Sequence, residues 1–243
     1  LVPRARRHVV QTDVRLREGG DDPREQHLRL ETLRRCGGFA DQGIRRYGYH
    51  GLSCEFVMGE LARRHGPVCQ SERIIIAHLG NGASMCAVKD GISIATTMGF
   101  STLDGLPMGT RSGSIDPGVI LHLMRANKLD PNGLEDLLYN QSGLSGLSGI
   151  SGDMRVLLDS PEPAAKRAVA FYGYRVAREL GSLAAALGGL DALVFTGGIG
   201  ENAGAIRDDV LARSAWLDFE TWIVPADEET VIARHTMDVL GRS

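Results

Sequence analysis

Long apolar runs are missing from this sequence. Nothing in its 243 residues approaches the roughly 20 consecutive apolar positions that cross a bilayer, and the first residues lack the pattern of a secretory leader. Cysteine is sparse: Cys36, Cys54, Cys69 and Cys86 form neither a CxxC pair nor a compact disulfide framework, so reduced thiols in a cytoplasmic protein are expected. Lysine is nearly absent, with Lys89, Lys128 and Lys166 set against 24 arginines, a skew that reflects coding bias. An excess of one charge is missing too. At a net charge of −3 the chain has no electrostatic footprint for nucleic acid or an anionic membrane. What remains, 43% hydrophobic and 23% charged residues, fits a globular chain of one large domain or two small ones.

Residues 1–38 differ from the rest. They hold nine arginines, no lysine and no Phe, Trp or Tyr, and no apolar periodicity persists. Such a segment buries too little apolar surface to offset its ordering entropy, so a loosely held segment is expected there, with a folded α/β domain over 39–243. Within that domain the pattern predicts a helix over 53–64 and a three-stranded meander over 73–79, 83–88 and 92–97, turned at Asn81-Gly82 and Asp90-Gly91. A helix over 117–127 is expected with Asp116 as N-cap and Pro117 at its first position. The Gly/Ser-rich stretch 142–149 carries regularly spaced leucines and reads as a packed loop. A long helix over 164–187, a buried strand over 193–196, a helix from about Ala205, a strand over 222–224 and a helix over 228–240 complete the pattern. A β-meander followed by alternating helices and strands suggests the actin-like, ribonuclease H-like ATPase architecture, which by itself says little about chemistry.

Thirty-one glycines are present, many in short loops beside apolar strands, and four such places carry polar groups. The turn His78, Leu79, Gly80, Asn81, Gly82 exposes backbone N–H groups that suit a phosphate chain, although the same residues also make a plain hairpin. Thr196, Gly197, Gly198, Ile199, Gly200, Glu201 and Asn202 lie between a strand and a helix, where a nucleotide can approach the backbone; a tight structural turn reads equally well. Arg111, with Gly109 and Gly113 near it, can offer its planar fork to phosphate oxygens. His50 follows Tyr47, Gly48 and Tyr49 and is either a phosphoryl donor or a hydrogen-bonded structural histidine.

Taken together, residues 45–51, 78–84, 98–117, 152–155 and 195–202 resemble the acetate kinase (acetokinase) family in identity, order and spacing. The resemblance runs from about residue 40 to 215 and resumes at 224. It implies an enzyme that transfers a phosphoryl group between ATP and a short-chain carboxylate such as acetate, in line and with Mg²⁺. Propionate or butyrate is the alternative acceptor. On this resemblance His50 and Arg111 match the stabilisers of the phosphoryl group in flight, and His78, Leu79, Gly80, Asn81 and Gly82 the loop around the ATP phosphates. Asp153, Met154 and Arg155 match a nucleotide-contacting turn; Gly198, Ile199, Gly200, Glu201 and Asn202 match the adenosine-side loop. Glu228 matches an acidic residue that helps to hold Mg²⁺, while its own sequence context reads as a first-turn glutamate favoured by the helix dipole. A homodimer is implied as well, with the small-residue-rich helix over 164–187 expected at its interface.

The family's N-terminal lobe carries a metal-contacting asparagine, a substrate arginine and a catalytic aspartate. None has a recognisable counterpart here, since Asp13, Asp21 and Asp22 lack the family's surrounding residues. Residues 1–38 are expected to stem from a shifted reading frame or a faulty gene start, and the chain alone is expected to be a non-catalytic remnant that binds nucleotide or dimerises. Ser114 also stands where the family commonly has an acidic residue.

Overall fold

Ile74–Leu79 (β1) is apolar at nearly every position, as befits a strand covered on both faces, and all its residues but His78 are buried. The computed structural model that places it describes residues 46–66 and 72–241; the segment 1–38 lies outside the described residues. β1 turns at Asn81-Gly82 into antiparallel Ala83–Lys89 (β2), and β2 turns at Asp90-Gly91 into antiparallel Ile92–Thr96 (β3). On its other side β1 pairs in parallel with Ala192–Thr196 (β4), which pairs in parallel with Glu220–Ile223 (β5). The sheet order is β3-β2-β1-β4-β5.

Alternation along β1 sends Ile75, Ala77 and Leu79 into one core and Ile74 and Ile76 into another. The first core is closed by the long helix Pro163–Leu187 (α6) through Ala168, Tyr172, Val176, Leu180 and Leu183. The second is closed by Gly51–His65 (α1) through Cys54, Val57, Met58 and Leu61. Glu228–Leu240 (α9) packs beside α1, joined to it by a 2.7 Å contact between His235 and Glu55. The result is an α/β/α sandwich whose parallel strands β1 and β4 end on the same edge.

Between β3 and α6 run Pro117–Ala126 (α2), Pro131–Asn140 (α3), Gly143–Ser148 (α4) and Met154–Asp159 (α5). After β4 come Gly197–Asn202 (α7) and Gly204–Arg213 (α8). The expected cap on α2 is present: the Asp116 carboxylate accepts from the amide of Gly118, with Pro117 at the first position. Two elements depart from the expected pattern. The 142–149 stretch is packed, with Gly143 and Leu144 buried, and it forms the helix α4. The glycine loop after β4 is the helical turn α7. Of the small residues of α6, Gly173 lies against Asp209, Gly181 against Trp216 and Ala184 in the core, while Ala185 and Ala186 are exposed.

Candidate functional site

The site forms where the carboxyl ends of β1 and β4 meet the N-terminus of α1, the position at which parallel sheets bind ligands. His78 is the penultimate residue of β1, on the α1 side of the sheet, opposite Ser84 on β2 and Thr196 on β4. Thr196 and Ser84 are buried, so the apolar face of the sheet ends in a polar row.

His50 precedes α1 with φ 61 and ψ 30, a left-handed conformation uncommon for a residue with a Cβ. Its side chain does not cap the helix. It reaches across to β2, where Nδ1 lies 2.8 Å from Ser84 Oγ. His78 Nδ1 lies 2.8 Å from Ser53 Oγ on α1. The two imidazoles stack with centroids 4.1 Å apart and planes 17° from parallel. Burial, followed by the neighbouring His78 and the Arg111 cation, pushes the His50 pKa down to about 3. Burial also lowers that of His78, against a smaller opposing pull from the Glu201 carboxylate. Both rings are therefore neutral at pH 7.

Arg111 completes the cluster. One guanidinium nitrogen donates to the Thr102 carbonyl at 3.0 Å. The other borders the space over Gly82: a Cβ at that glycine would stand 2.8 Å from it and 3.5 Å from His50 Nε2. Among the described residues, Gly82 is thus the position where a missing side chain leaves room between a cation and an imidazole. The loop that aims Arg111 is held at several points. Met108 N donates to Arg111 O at 3.0 Å, Leu144 N to Met108 O at 2.8 Å, and Ser145 N to Gly109 O at 2.9 Å, so α4 braces the loop from behind. Asn81 O accepts from Gly109 N at 3.0 Å, tying the same loop to the β1–β2 turn.

Across the edge, Gly197 has φ +78, and a Cβ there would lie 2.8 Å from Leu79 O, so β1 and α7 approach as only glycine permits. Gly198 faces open space, with nothing within 4 Å of its would-be Cβ. Asn202 Nδ2 donates to Gly198 O at 2.9 Å and Glu201 Oε1 accepts from Ala226 N at 2.9 Å, which closes α7 and draws the start of α9 toward it.

Among the expected site residues, then, His50, His78, Gly80, Asn81, Gly82, Arg111 and the α7 residues Gly198, Ile199, Gly200, Glu201 and Asn202 gather at this edge. Leu79 and Met154 are buried in the core, leaving only their backbone for a ligand. Asp153 caps α5 by accepting from Arg155 N at 2.9 Å and is paired with the exposed Arg155 guanidinium at 2.6 Å, which holds its carboxyl below the usual range. Gly152, next to them, lies against Gly109 and so brings this turn to the Arg111 loop. The sequence reading gave no role to Ser53 or Ser84, although Ser84 falls within the 78–84 stretch; Thr196 belonged to the 196–202 segment, and strand register is what sets Ser84 and Thr196 beside His78.

Glu228 opens α9, behind the cap formed by Asp227 Oδ1 with Thr230 N at 3.0 Å, and its charge is felt at Cys54, next to Ser53. Among the described residues no group of three or more His, Cys, Asp or Glu could hold a metal ion. Magnesium takes one or two carboxylates and fills its remaining positions with phosphate oxygens and waters, so a single carboxylate at this rim fits that donor set. Ser114 donates to Asp104 Oδ1 at 2.7 Å; an acidic residue there would set a second carboxylate against Asp104. The thiols of Cys54 and Cys86 are free and buried.

A mixed sheet of this order, with glycine turns at the ends of two parallel strands and a cation aimed between them, defines the chain as an actin-like α/β protein of the ribonuclease H type. The chain belongs to the acetokinase family, whose model matches residues 38–236. It is 51% identical over 218 residues to an acetate kinase of Rhodopseudomonas palustris, a match covering 80% of this chain and 55% of that protein. Over 225 residues it is 47% identical to an acetate kinase of Methylocella silvestris, covering 84% of this chain and 55% of that protein. The Porphyromonas gingivalis acetate kinase structure superposes with a TM-score of 0.80 at 36% identity, covering 84% of this chain and 58% of its own. A propionate kinase structure from Francisella tularensis gives 0.73 at 36% identity, with 78% and 54% covered. The chain thus spans about half the length of the curated relatives it matches. Among the described residues no helix is long and apolar enough to cross a membrane.

Proposed function

We propose that this chain is the nucleotide-binding part of a carboxylate kinase, which moves the terminal phosphoryl group of ATP to a short carboxylate, acetate above all, by direct in-line transfer. The observation that carries this reading is the convergence of Arg111 and His50 on the space left open by Gly82, with His78 stacked on His50 and facing Gly80. Phosphoryl transfer asks the protein for little covalent chemistry; positioning and charge neutralisation supply most of the rate. Arg111 is the fixed cation for the equatorial oxygens, and neutral His50 and His78 add hydrogen bonds that bring no second charge to repel it. With the Gly80 N–H held by Gly82 O, the backbone N–H groups of Asn81 and Gly82 receive the phosphate chain, and α7, open at Gly198, receives the nucleoside side. Glu228 would hold Mg²⁺, which supplies charge neutralisation at the phosphates when bound.

The residues that family resemblance assigns to the carboxylate acceptor have no counterpart in this sequence. Residues 1–243 alone therefore bind nucleotide and turn over near background, and adding an N-terminal lobe from the family restores transfer. Hydroxamate trapping of acyl phosphate with acetate, propionate, butyrate or no acceptor, run with and without that lobe, tests the proposal. Acetate is expected to be the best acceptor; propionate is the second reading, favoured by the likeness to the Francisella tularensis enzyme. Strong acetyl phosphate formation by the chain alone contradicts the account of its acceptor side, and transfer to glucose but to no carboxylate contradicts the class.

A further inference from the structure

Two hydroxyls in this site have no role in the account so far. Ser53 is fully buried on the first turn of α1, and Ser84 is 2% exposed near the start of β2. They are paired crosswise with the histidines. The serine on the sheet meets the histidine that begins α1, and the serine on α1 meets the histidine at the end of β1, each across 2.8 Å between Oγ and Nδ1. Among the described residues neither hydroxyl has a second hydrogen-bond partner.

Each contact leaves the other ring nitrogen facing the open edge. His50 Nε2 lies 3.5 Å from the would-be Cβ of Gly82, beside the Arg111 guanidinium, and His78 Nε2 lies 3.8 Å from that of Gly80. A neutral imidazole has one donor and one acceptor nitrogen, and the bond at one fixes the role of the other. A lone pair at Nε2 would face phosphoryl oxygens with repulsion, whereas a hydrogen there would donate to them. We propose that Ser84 and Ser53 are positioning residues whose hydroxyls donate to Nδ1 of His50 and His78, fixing both rings as Nε2–H donors toward a phosphate. The choice of phosphate as the occupant rests on the phosphotransferase reading above.

The stacking reinforces this arrangement, because each ring limits the rotation of the other. Arg111 disfavours a proton on both nitrogens of His50 and so preserves a neutral ring with a single orientation to be set. The same crosswise bonds join α1 to the β1–β2 hairpin, so ring orientation and helix docking are fixed together.

Nitrogen-15 NMR of the side-chain imidazoles in the full chain at pH 7 tests the assignment directly, since protonated and unprotonated ring nitrogens resonate far apart. The expected result is a protonated Nε2 and an unprotonated Nδ1 for both His50 and His78. Ser84→Ala should turn His50 into a tautomer mixture while leaving His78 unchanged, and Ser84→Thr should restore the single form; Ser53→Ala should do the same to His78. A protonated Nδ1 at either ring of the unsubstituted protein overturns the proposal, and that arm stands even where an alanine variant fails to fold. Unchanged tautomers in folded alanine variants overturn it equally. Adding inorganic phosphate and then MgADP should shift the Nε2–H protons. If the tautomers are as proposed but neither ligand moves them, the serine assignment stands and the phosphotransferase reading falls.

Discussion

At the scale of single residues, the site depends on a charge pattern that burial creates. His50 has its ordinary pKa of about 6.5 in the unfolded chain and about 3 in the folded one. Below pH 6.5 only the unfolded state takes up this proton, so stability is complete above that pH and is lost as the pH falls toward 3. One such group adds a slope of about 1.4 kcal/mol per pH unit across the window. His50→Asn, which tolerates the left-handed backbone, should flatten urea-derived stability between pH 6 and 4 by roughly that slope; an unchanged profile would mean that the ring is not buried as described. Gly82 makes a second test. A methyl group there would stand 2.8 Å from the Arg111 guanidinium, the mobile end of a side chain, so Gly82→Ala should fold normally. Displacing the guanidinium should weaken MgATP by about tenfold, or 1.4 kcal/mol, as read by calorimetry. Equal affinity would remove Arg111 from the phosphate site.

At the scale of elements, the close approach of α7 to β1 is the joint that assembles the edge. Gly197→Ala imposes a Cβ at positive φ and 2.8 Å from Leu79 O, and should cost at least ~1 kcal/mol in a denaturant titration; a neutral result would contradict that packing. Much of this layer was legible beforehand. Asn81-Gly82 and Asp90-Gly91 announced the meander, Asp116-Pro117 the start of α2, and apolar periodicity the length of α6. Other elements were hidden for physical reasons. Three glycines masked α7, whose helical turn is set by contact with Leu79 and by Asn202 bonding back to Gly198. α4 looks like a linker because its order comes from donating to the 108–111 loop, a partner remote in sequence. α3 was announced by Asp130-Pro131, the same signal as α2, and was passed over. Among candidate site residues, the charged and glycine positions drew notice from local context but took their roles from family resemblance, while Ser53 and Ser84 became visible only when strand register and helix docking placed them beside the histidines.

At the scale of the whole molecule, the described residues present one face that the sheet does not use. α2 has no buried residue, and Val119, Leu121 and Met124 on it are exposed. We propose that the homodimer implied by family resemblance draws on α2, since Gly173, Gly181 and Ala184 of α6 are occupied within the chain. Leu121→Glu should then shift sedimentation toward monomer at micromolar concentration, and wild-type protein that is already monomeric would contradict the dimer. The central claim, that the β1–β4 edge is an assembled nucleotide site, is tested most directly by thermal unfolding of the full chain with and without MgATP. At 100 times its dissociation constant, a ligand that binds only the folded state adds about 2.7 kcal/mol. The account predicts a rise in melting temperature for the wild-type chain and none for Gly198→Leu, whose side chain enters space that is open in the free protein. No rise for the wild-type chain at millimolar MgATP, or an equal rise in both proteins, would contradict it.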